Sequence, residues 1–494
     1  RAGVENREMV ESLGFRIDRL FIGVFMAGSA LAAMGGAMWA GYQSLITPAL
    51  GQELLILVFI VVIIGGLGSI EGSLLGAILV GLSALFGYIN HRFLHLPHTI
   101  GLVVIALCAS LSIIGFDLIE PSFQIGQRVT DVLRQIDFNE TLMHGMLSFL
   151  LFAGALHADF RALKTRRLTI GVMAVLGTPI STFVIGAGMW LLLGLLEFDI
   201  PFIWALVFGA LISPTDPVAV LSLFKIVKVP DTLQAKMAGE SLFNDGIGVV
   251  IFTVVVAIAL SMGGPGGAPS GGEQGGPMGA ADIFELFITE AVGGAVLGLA
   301  AGYIGYRAMY GIDEESLEVL ITLALVMVTY SLALALHMSG PIAMVIAGLF
   351  IGNRGVKYAM SEQTRDYVLT FWTLIDEILN SVLFLLIGLE VLVVTLSSDY
   401  LGVALLAIPV TLFARALSVT IPIAILSRWE TFTKGAVPVL IWGGLRGGIA
   451  VALALSLPDI EYKTAILSIT YGVVLFSIIV QGLTVKPLVE RMVR

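Results

Sequence analysis

Residues 238–252, AGESLFNDGIGVVIF, place polar side chains at helical spacing inside an apolar run. On a helix, Ser241 and Asp245 share one face, and Glu240 and Asn244 share the adjacent face, because residues four apart lie one above the other. One helical turn therefore presents two carboxylates, a hydroxyl and an amide. Hard cations such as sodium prefer oxygen ligands of this kind, whereas imidazole and thiolate ligands suit softer metals.

The Asp245 carboxylate is a candidate to bind either a cation or a proton. Desolvation favours the protonated form of a buried carboxylate. A cation and a proton would then compete for the same oxygen atoms, which is what the exchange of one for the other requires. The alternative is that these polar groups pair among themselves as structure. For Glu240 we favour that alternative, with Arg415 in TLFARALSV as its partner, because an unpaired charge in an apolar segment is costly.

A second apolar run, PFIWALVFGALISPTDPVAVLSLF (201–224), carries Pro214, Thr215, Asp216 and Pro217 near its middle. Each proline removes a backbone donor and clashes with the preceding turn, so the run predicts an interrupted helix. Within a bilayer such a break is tolerated where it is buried in protein or lines a cavity, and its free carbonyls and helix ends can then bind an ion. A plain proline kink would need neither Asp216 nor Thr215, so we favour a functional break.

A third run, VPVLIWGGLRGGIAVALALSL (437–457), carries four glycines around Arg446 and predicts a second break. Interrupted segments in both halves of a chain point to the binding site of a secondary transporter. We expect the two breaks to face each other, with Arg446 compensating helix C-terminal ends and Asp216 compensating N-terminal ends.

The composition of the whole chain is that of an integral membrane protein. Hydrophobic residues make up 57% and charged residues only 13%, which is more apolar than a soluble core requires. About fifteen apolar segments follow Ile17, most of them near the ~20 residues that span a bilayer. We therefore predict an all-α bundle. The single Cys108 excludes a disulfide within the chain and a cysteine metal site. No basic stripe with interleaved aromatics indicates nucleic-acid binding.

Basic residues give the predicted orientation. From Arg161 onward, alternate connections hold sixteen lysines and arginines, whereas the remaining connections hold only Lys463. By the positive-inside rule the basic connections and the C-terminus are cytoplasmic. The Gly-rich loop at 261–282 then lies on the outer side, and we interpret it as a flexible spacer between two halves.

Three motifs in this order, SPTDPVAV, GESLFNDG and WGGLRGGIA, resemble the cation/proton antiporter family, in particular the sodium/proton exchangers of the bacterial NhaP type. LALALHMSGPIAMVIAGLFIGNRG (332–355) and LIDEILNSVLFLLIGLEV (374–391) resemble other recurring segments of that family. The resemblance runs from about Ala84 to Leu488. It implies a bundle of about thirteen helices with inverted repeats and two broken, crossing helices. It also implies a homodimer.

The resemblance assigns roles to residues of these motifs. Asp245 would be the carboxylate that binds the cation and the proton, with Ser241 and the Thr215 backbone as further ligands. Asp216 would act nearby, through water. Asn244 marks an Asn–Asp subgroup that resembles electroneutral exchangers.

Glu240 and Arg415 would form the structural ion pair of the family.

The sequence departs from the family at Ala153. Many relatives carry an acid in the earlier helix, where this chain reads FLLFAGALHAD (149–159). A ligand is then missing or supplied by water, which leaves the choice among Na⁺, Li⁺ and K⁺ open. His157, one turn later, is either an interfacial residue or a pH-sensing one, and we favour the interfacial role.

The first 82 residues resemble a different family. RAGVENREMVESLGFRIDRLFIGVFMAGSALAAMGG and IVVIIGGLGSIEGSLLGAILVG resemble the C-terminal part of a branched-chain amino acid ABC transporter permease, whose polar segment docks on an ATPase. We predict two domains, a permease-like fragment at 1–82 with two or three extra hydrophobic helices, and an antiporter domain at 83–494. The chain has no Walker A pattern, so it does not itself hydrolyse ATP. It begins at Arg1, so we expect its start to be processed or missing.

The sequence therefore predicts a secondary transporter, and not an enzyme, that exchanges a monovalent cation, sodium, for protons. We expect electroneutral exchange without a cofactor, by a multi-pass homodimer in the cell inner (plasma) membrane. Its expected partners are the lipid bilayer, the cation and the proton, with neither nucleic acid nor an ATPase. Two alternatives stay open, the membrane subunit of an ABC-type amino acid importer and a non-transporting ion sensor on the same fold. Residues 1 to about 75 are expected to be dispensable for exchange.

Overall fold

The structure, a computed structural model, is helical almost throughout. It describes residues 17–43, 50–65, 70–120, 122–133, 141–158, 163, 165–216, 220, 224, 229–262, 279–393, 398–428, 432 and 435–492. The chain forms two compact units, Arg1–Ile60 and Val61–Arg494.

The first unit contains helix α1, Ile17–Gln43, and most of helix α2, Leu50–Gly65. α1 is 27 residues long, or about 40 Å at 1.5 Å per residue, which is enough to cross a bilayer. Nearly all of its described side chains are exposed, including Phe25, Met26 and Met38.

The second unit is a bundle of helices. Those before the long Gly-rich segment are α3 Ile70–Ile89, α4 His98–Ile119, α5 Ile125–Leu133, α6 Leu147–Leu156, α7 Arg167–Leu195, α8 Phe202–Ile212 and α9 Asp231–Ser261. Those after it are α10 Ala281–Met309, α11 Glu315–Ala335, α12 Gly340–Phe350, α13 Glu362–Leu389, α14 Ser398–Leu426, α15 Ala436–Trp442, α16 Gly448–Leu455 and α17 Lys463–Met492. Single π-helical turns interrupt α7 and α17 without ending them.

Among the described residues, eight helices are long and apolar enough to cross a membrane: Gly72–Leu94, α4, α7, Thr232–Ser261, α10, α11, Gly402–Leu426 and α17. α13 adds 28 residues, or about 42 Å, although charged residues interrupt its apolar face. Large apolar side chains are exposed along α10, including Phe284, Val296 and Ile304. Such a surface suits lipid and not water. The predicted all-α membrane class is confirmed.

Two interrupted segments lie in the middle of the bundle, as predicted. α8 ends at Ile212 and the backbone is non-helical from Pro214 to Asp216, while a non-helical stretch at 443–447 separates α15 from α16. α9 packs against α8, α12 and α16, and α13 packs against α6 and α16. The long helices α9 and α13 thus flank the point where the broken segments meet.

Candidate functional site

The two breaks cross each other through a backbone contact. The Asp216 N–H donates to the Leu445 carbonyl at 2.8 Å, and the two residues form an isolated antiparallel β-bridge. Each break therefore satisfies a backbone group that the other leaves without a helical partner, which is how irregular backbone is tolerated deep in a membrane protein.

Arg446 stabilises the crossing from the second break. It is 3% exposed, and its Nη1 donates to the Pro214 carbonyl at 3.1 Å and also to the Ser213 carbonyl. These carbonyls follow the C-terminal end of α8, where the helix dipole is negative. The Arg446 backbone N–H donates to Ser477 Oγ at 2.9 Å, which holds the arginine from α17. Arg446 thus lies at the C-terminal end of α8, and its predicted role in charge compensation stays a prediction.

Asn244 and Ser241 on α9 bind the first break. Asn244 Nδ2 donates to Thr215 Oγ1 at 2.8 Å, and the Thr215 N–H donates to Asn244 Oδ1 at 3.3 Å. Ser241 Oγ donates to the Thr215 carbonyl. All three side chains are buried. The structure therefore brings together Ser241, Asn244 and Thr215, and it gives Asn244 the task of holding Thr215 in place.

Asp245 lies one residue further along α9 and differs from these neighbours. It is 7% exposed, and among the described residues its Oδ1 has no hydrogen-bond partner. Pro214 packs closely against α9 nearby, since a Cβ added to Gly248 would lie 2.3 Å from Pro214 Cγ. A buried carboxylate oxygen without a partner is costly unless a ligand or a proton satisfies it.

The Asp216 carboxylate faces the second break. A Cβ added to Gly447 would lie 2.4 Å from Asp216 Oδ2, so only glycine allows this close approach. Gly447 is the N-cap residue of α16, where the helix dipole is positive. Asp216 thus lies beside the N-terminal end of α16, and its predicted role in charge compensation stays a prediction.

Glu240 and Arg415 form a buried ion pair next to the crossing. Arg415 Nη2 donates to Glu240 Oε2 at 3.1 Å, and Nη1 donates to Oε1, so the contact is bidentate. Arg415 also donates to the Leu440 carbonyl of α15 from Nη2 at 2.9 Å and from Nε at 3.3 Å. The pair therefore ties α9 and α14 to the first half of the second broken segment.

A cavity of about 970 Å³ leads to these groups. Its wall includes four carboxylates, those of Asp216, Asp245, Asp376 and Glu377. None of the described residues that line it is a lysine or an arginine. Such a cavity attracts cations and repels anions.

Helix α13 supplies a polar wall that the sequence interpretation did not assign. Thr373, Asp376, Glu377, Asn380 and Ser381 all line the cavity. Their spacing of three to four residues puts them on one face of the helix. The polar residues of GESLFND on α9 have the same spacing. That periodic polar face within LIDEILNS was the available signal.

The two positions of α6 singled out in the sequence also line the cavity. Ala153 brings no polar side chain to it, whereas His157 contacts the Ala153 carbonyl through Nδ1 at 2.7 Å and Thr373 Oγ1 through Nε2 at 3.0 Å. His157 therefore joins α6 to α13. Pro217 and most of the Gly-rich loop lie outside the described residues.

The fold is a bundle of membrane helices in which two broken helices cross beside a buried carboxylate. This arrangement is typical of secondary transporters. Residues 81–491 match the family described as "Sodium/hydrogen exchanger, transmembrane", and the chain belongs to this family. This confirms the resemblance that the three motifs indicated.

Individual relatives agree with the family match. The chain is 45% identical to the Na⁺/H⁺ antiporter NhaP of Pseudomonas aeruginosa, over 84% of this chain and 96% of the relative. It is 36% identical to the Na⁺/H⁺ antiporter NhaH of Halobacillus aidingensis, over 81% of this chain and 93% of that relative. In fold it is similar to the sodium proton antiporter MjNhaP1 of Methanocaldococcus jannaschii, with a TM-score of 0.65 at 18% identity over 84% of this chain and 97% of that one.

The N-terminal region matches a second family. Residues 1–109 match "Branched-chain amino acid transport system / permease component", as the first 82 residues predicted. This match and the exchanger match overlap over residues 81–109. The division of the chain into two domains at 82 and 83 stays a prediction.

Proposed function

We propose that this protein is a secondary active transporter that exchanges sodium for protons across a membrane. The observation that carries the proposal is Asp245, a buried carboxylate in a cavity rich in carboxylates and next to two broken helices. One oxygen of this carboxylate has no hydrogen-bond partner among the described residues. The antiporters to which the chain is similar support the choice of sodium and protons.

Asp245 binds the two substrates alternately in this proposal. A proton on Asp245 neutralises the buried carboxylate, and sodium neutralises it equally well, so occupancy by one excludes the other. Ser241 Oγ and the Thr215 carbonyl, which contact each other in the structure, provide further oxygen ligands once sodium enters. Asp216 at the crossing contributes through water.

Asn244 accounts for the proposed electroneutral stoichiometry. Its amide is hydrogen-bonded to Thr215 and carries no charge, so of Asn244 and Asp245 only Asp245 changes its occupancy. One sodium then replaces one proton, and the exchange moves no net charge.

Residues near the basic connections line the cavity. His157 precedes the basic loop at 161–167, and Gln234 lies within the basic segment at 225–236. Because basic loops are retained in the cytoplasm, we infer that the cavity is open to the cytoplasm and that the C-terminus lies on the same side. We place the protein in the plasma membrane, as a homodimer.

The test is proton flux in proteoliposomes that contain a pH-sensitive dye. Purified protein is reconstituted, a pH gradient is imposed, and NaCl, LiCl, KCl or choline chloride is added in turn. We expect sodium, and not choline, to collapse the gradient. A folded, reconstituted protein that moves no protons on addition of any of the three metal cations would refute exchange and favour the ion-sensor alternative.

A further inference from the structure

The cavity contains a second set of oxygen-bearing side chains that the site at Asp245 does not use. Asp376 and Asn380 lie one turn apart on α13, and Asn380 Nδ2 donates to Asp376 Oδ1 at 3.0 Å. Asn380 is 4% exposed, so its position is fixed by packing, and its hydrogen bond holds the Asp376 carboxylate in place. Within the described part of the chain, Asp376 Oδ2 has no hydrogen-bond partner and is available to a ligand.

Asp376 and Asp245 lie at comparable positions on two long helices. Each is about 21 Å from the start of its helix at 1.5 Å per residue, which is near the middle of α13 and of α9. Both helices begin on the side of the basic connections. An ionisable residue at mid-membrane depth that faces a cavity is a functional candidate, because burial of an unused charge is expensive.

The surroundings of Asp376 leave its charge unpaired. The cavity wall has no lysine or arginine among its described residues, and the other acidic groups on it, Asp216, Asp245 and Glu377, add negative charge. His157 interacts electrostatically with Asp376, but its ring nitrogens already contact the Ala153 carbonyl and Thr373 Oγ1. A bound cation would supply the positive charge that balances the Asp376 carboxylate.

Asp245 gives independent support for a ligand in this cavity. Its Oδ1 is unpartnered, its side chain is more than nine-tenths buried, and it lines the same cavity as Asp376 and Asn380. Thr373, an exposed residue on the same face of α13, also lines this cavity.

We propose that Asp376 and Asn380 form a second, transient binding site for the transported monovalent cation. The Asp376 carboxylate and the Asn380 amide oxygen replace part of the hydration shell before the cation reaches Asp245. The inference rests on the proposed function, since it assigns a step of sodium entry to residues outside the main site.

The test compares sodium dependence in proteoliposomes for the wild type, Asp376→Asn and Asp376→Glu. Removing one negative charge from a polar cavity should raise the apparent KM for sodium about three- to tenfold, with the maximal rate kept within about twofold. Asp376→Glu keeps the charge and should stay near the wild-type KM. Asp376→Ser is made beside these variants, because it removes the charge without adding volume.

Asp366→Asn is the matched control, since it makes the same change on the same helix at an exposed site outside the cavity. An unchanged KM in folded Asp376→Asn or Asp376→Ser would overturn the inference. So would a lost maximal rate at unchanged KM, or complete loss of flux, because either result makes Asp376 structural or part of the main site. Wild-type protein without flux would instead overturn the proposed function.

Discussion

Asp245 is set apart from its neighbours on α9 by what it does not contact. Ser241 and Asn244 each bond to Thr215, and Glu240 is paired with Arg415, whereas Asp245 Oδ1 has no partner among the described residues. Three of the four polar groups in this turn therefore build the site, and the fourth is left for a substrate.

Asp245→Asn should abolish exchange without unfolding the protein. The amide is nearly isosteric with the carboxylate but can neither titrate nor neutralise sodium, so both substrates lose their site. Proton flux in proteoliposomes and a thermal melt in detergent measure the two effects. Asp459→Asn, at an exposed site, is the control and should exchange normally. Sodium-dependent flux by the purified Asp245→Asn protein would show that the assignment is wrong.

The Glu240–Arg415 pair is expected to act on stability more than on chemistry. Removing one partner leaves a buried charge uncompensated, which costs about 3–5 kcal/mol in soluble proteins. Glu240→Gln and Arg415→Gln should therefore each lower the melting temperature, and the double variant should recover part of the loss. Recovery will be incomplete, because Arg415 also holds the Leu440 carbonyl. Strictly additive losses in this double-mutant cycle would mean that the contact contributes no coupling.

At the scale of elements, the crossing of the two broken segments depends on backbone groups. One hydrogen bond joins Asp216 to Leu445, and Arg446 closes the C-terminal end of α8. Neither break is stable by itself within a membrane, because each leaves carbonyls and N–H groups without partners. The two segments therefore stabilise each other, and a substitution that displaces one should also destabilise the other.

Gly447→Ala tests that dependence. Its Cβ would lie 2.4 Å from Asp216 Oδ2 and 2.6 Å from Asp216 Cβ, so the segments must separate. We expect a loss of about 1–3 kcal/mol in the free energy of unfolding, as for other overpacked sites, and loss of exchange. Gly402→Ala is the control, since its Cβ would meet nothing within 4 Å. Normal flux in Gly447→Ala would argue that the close contact is not required.

Local chemistry allowed the broken segments and the polar turn of α9 to be predicted from the sequence. Pro214 removes a backbone donor, the glycines around Arg446 weaken a helix, and helical spacing puts Ser241 and Asp245 on one face. The place of Asp376 could not be predicted in the same way. The periodic polar face of α13 could have marked Asp376 as a candidate, but the cavity that this face lines depends on how α13 packs against α6 and α16.

At the scale of the whole molecule, the second compact unit begins within α2. Ile63 and Ile64 are buried, and a Cβ added to Gly145 would lie 3.2 Å from the Ile63 carbonyl. The end of α2 therefore packs within the unit that contains the site. This contact extends the region needed for stability upstream of the predicted boundary at 82.

Two shortened chains separate exchange from stability. One begins at Leu75 and the other at Val61, each with a new Met. Both should exchange sodium for protons, because every described residue of the cavity wall lies beyond residue 97. The chain from Leu75 should melt at a lower temperature, because it lacks Ile63 and Ile64. A Leu75 chain that inserts and expresses well in a salt-sensitive host but does not support growth would make the N-terminal region part of the transporter.

The depth of the carboxylate-lined cavity has an electrical consequence. A carboxylate-lined cavity that reaches Asp245 from one face of the membrane brings the potential of that face towards the binding site. The transmembrane voltage then falls mainly across the part of the protein between the crossing and the opposite face. Sodium that enters through the cavity therefore does little electrical work before it binds. The affinity for sodium from this face should be almost independent of membrane voltage.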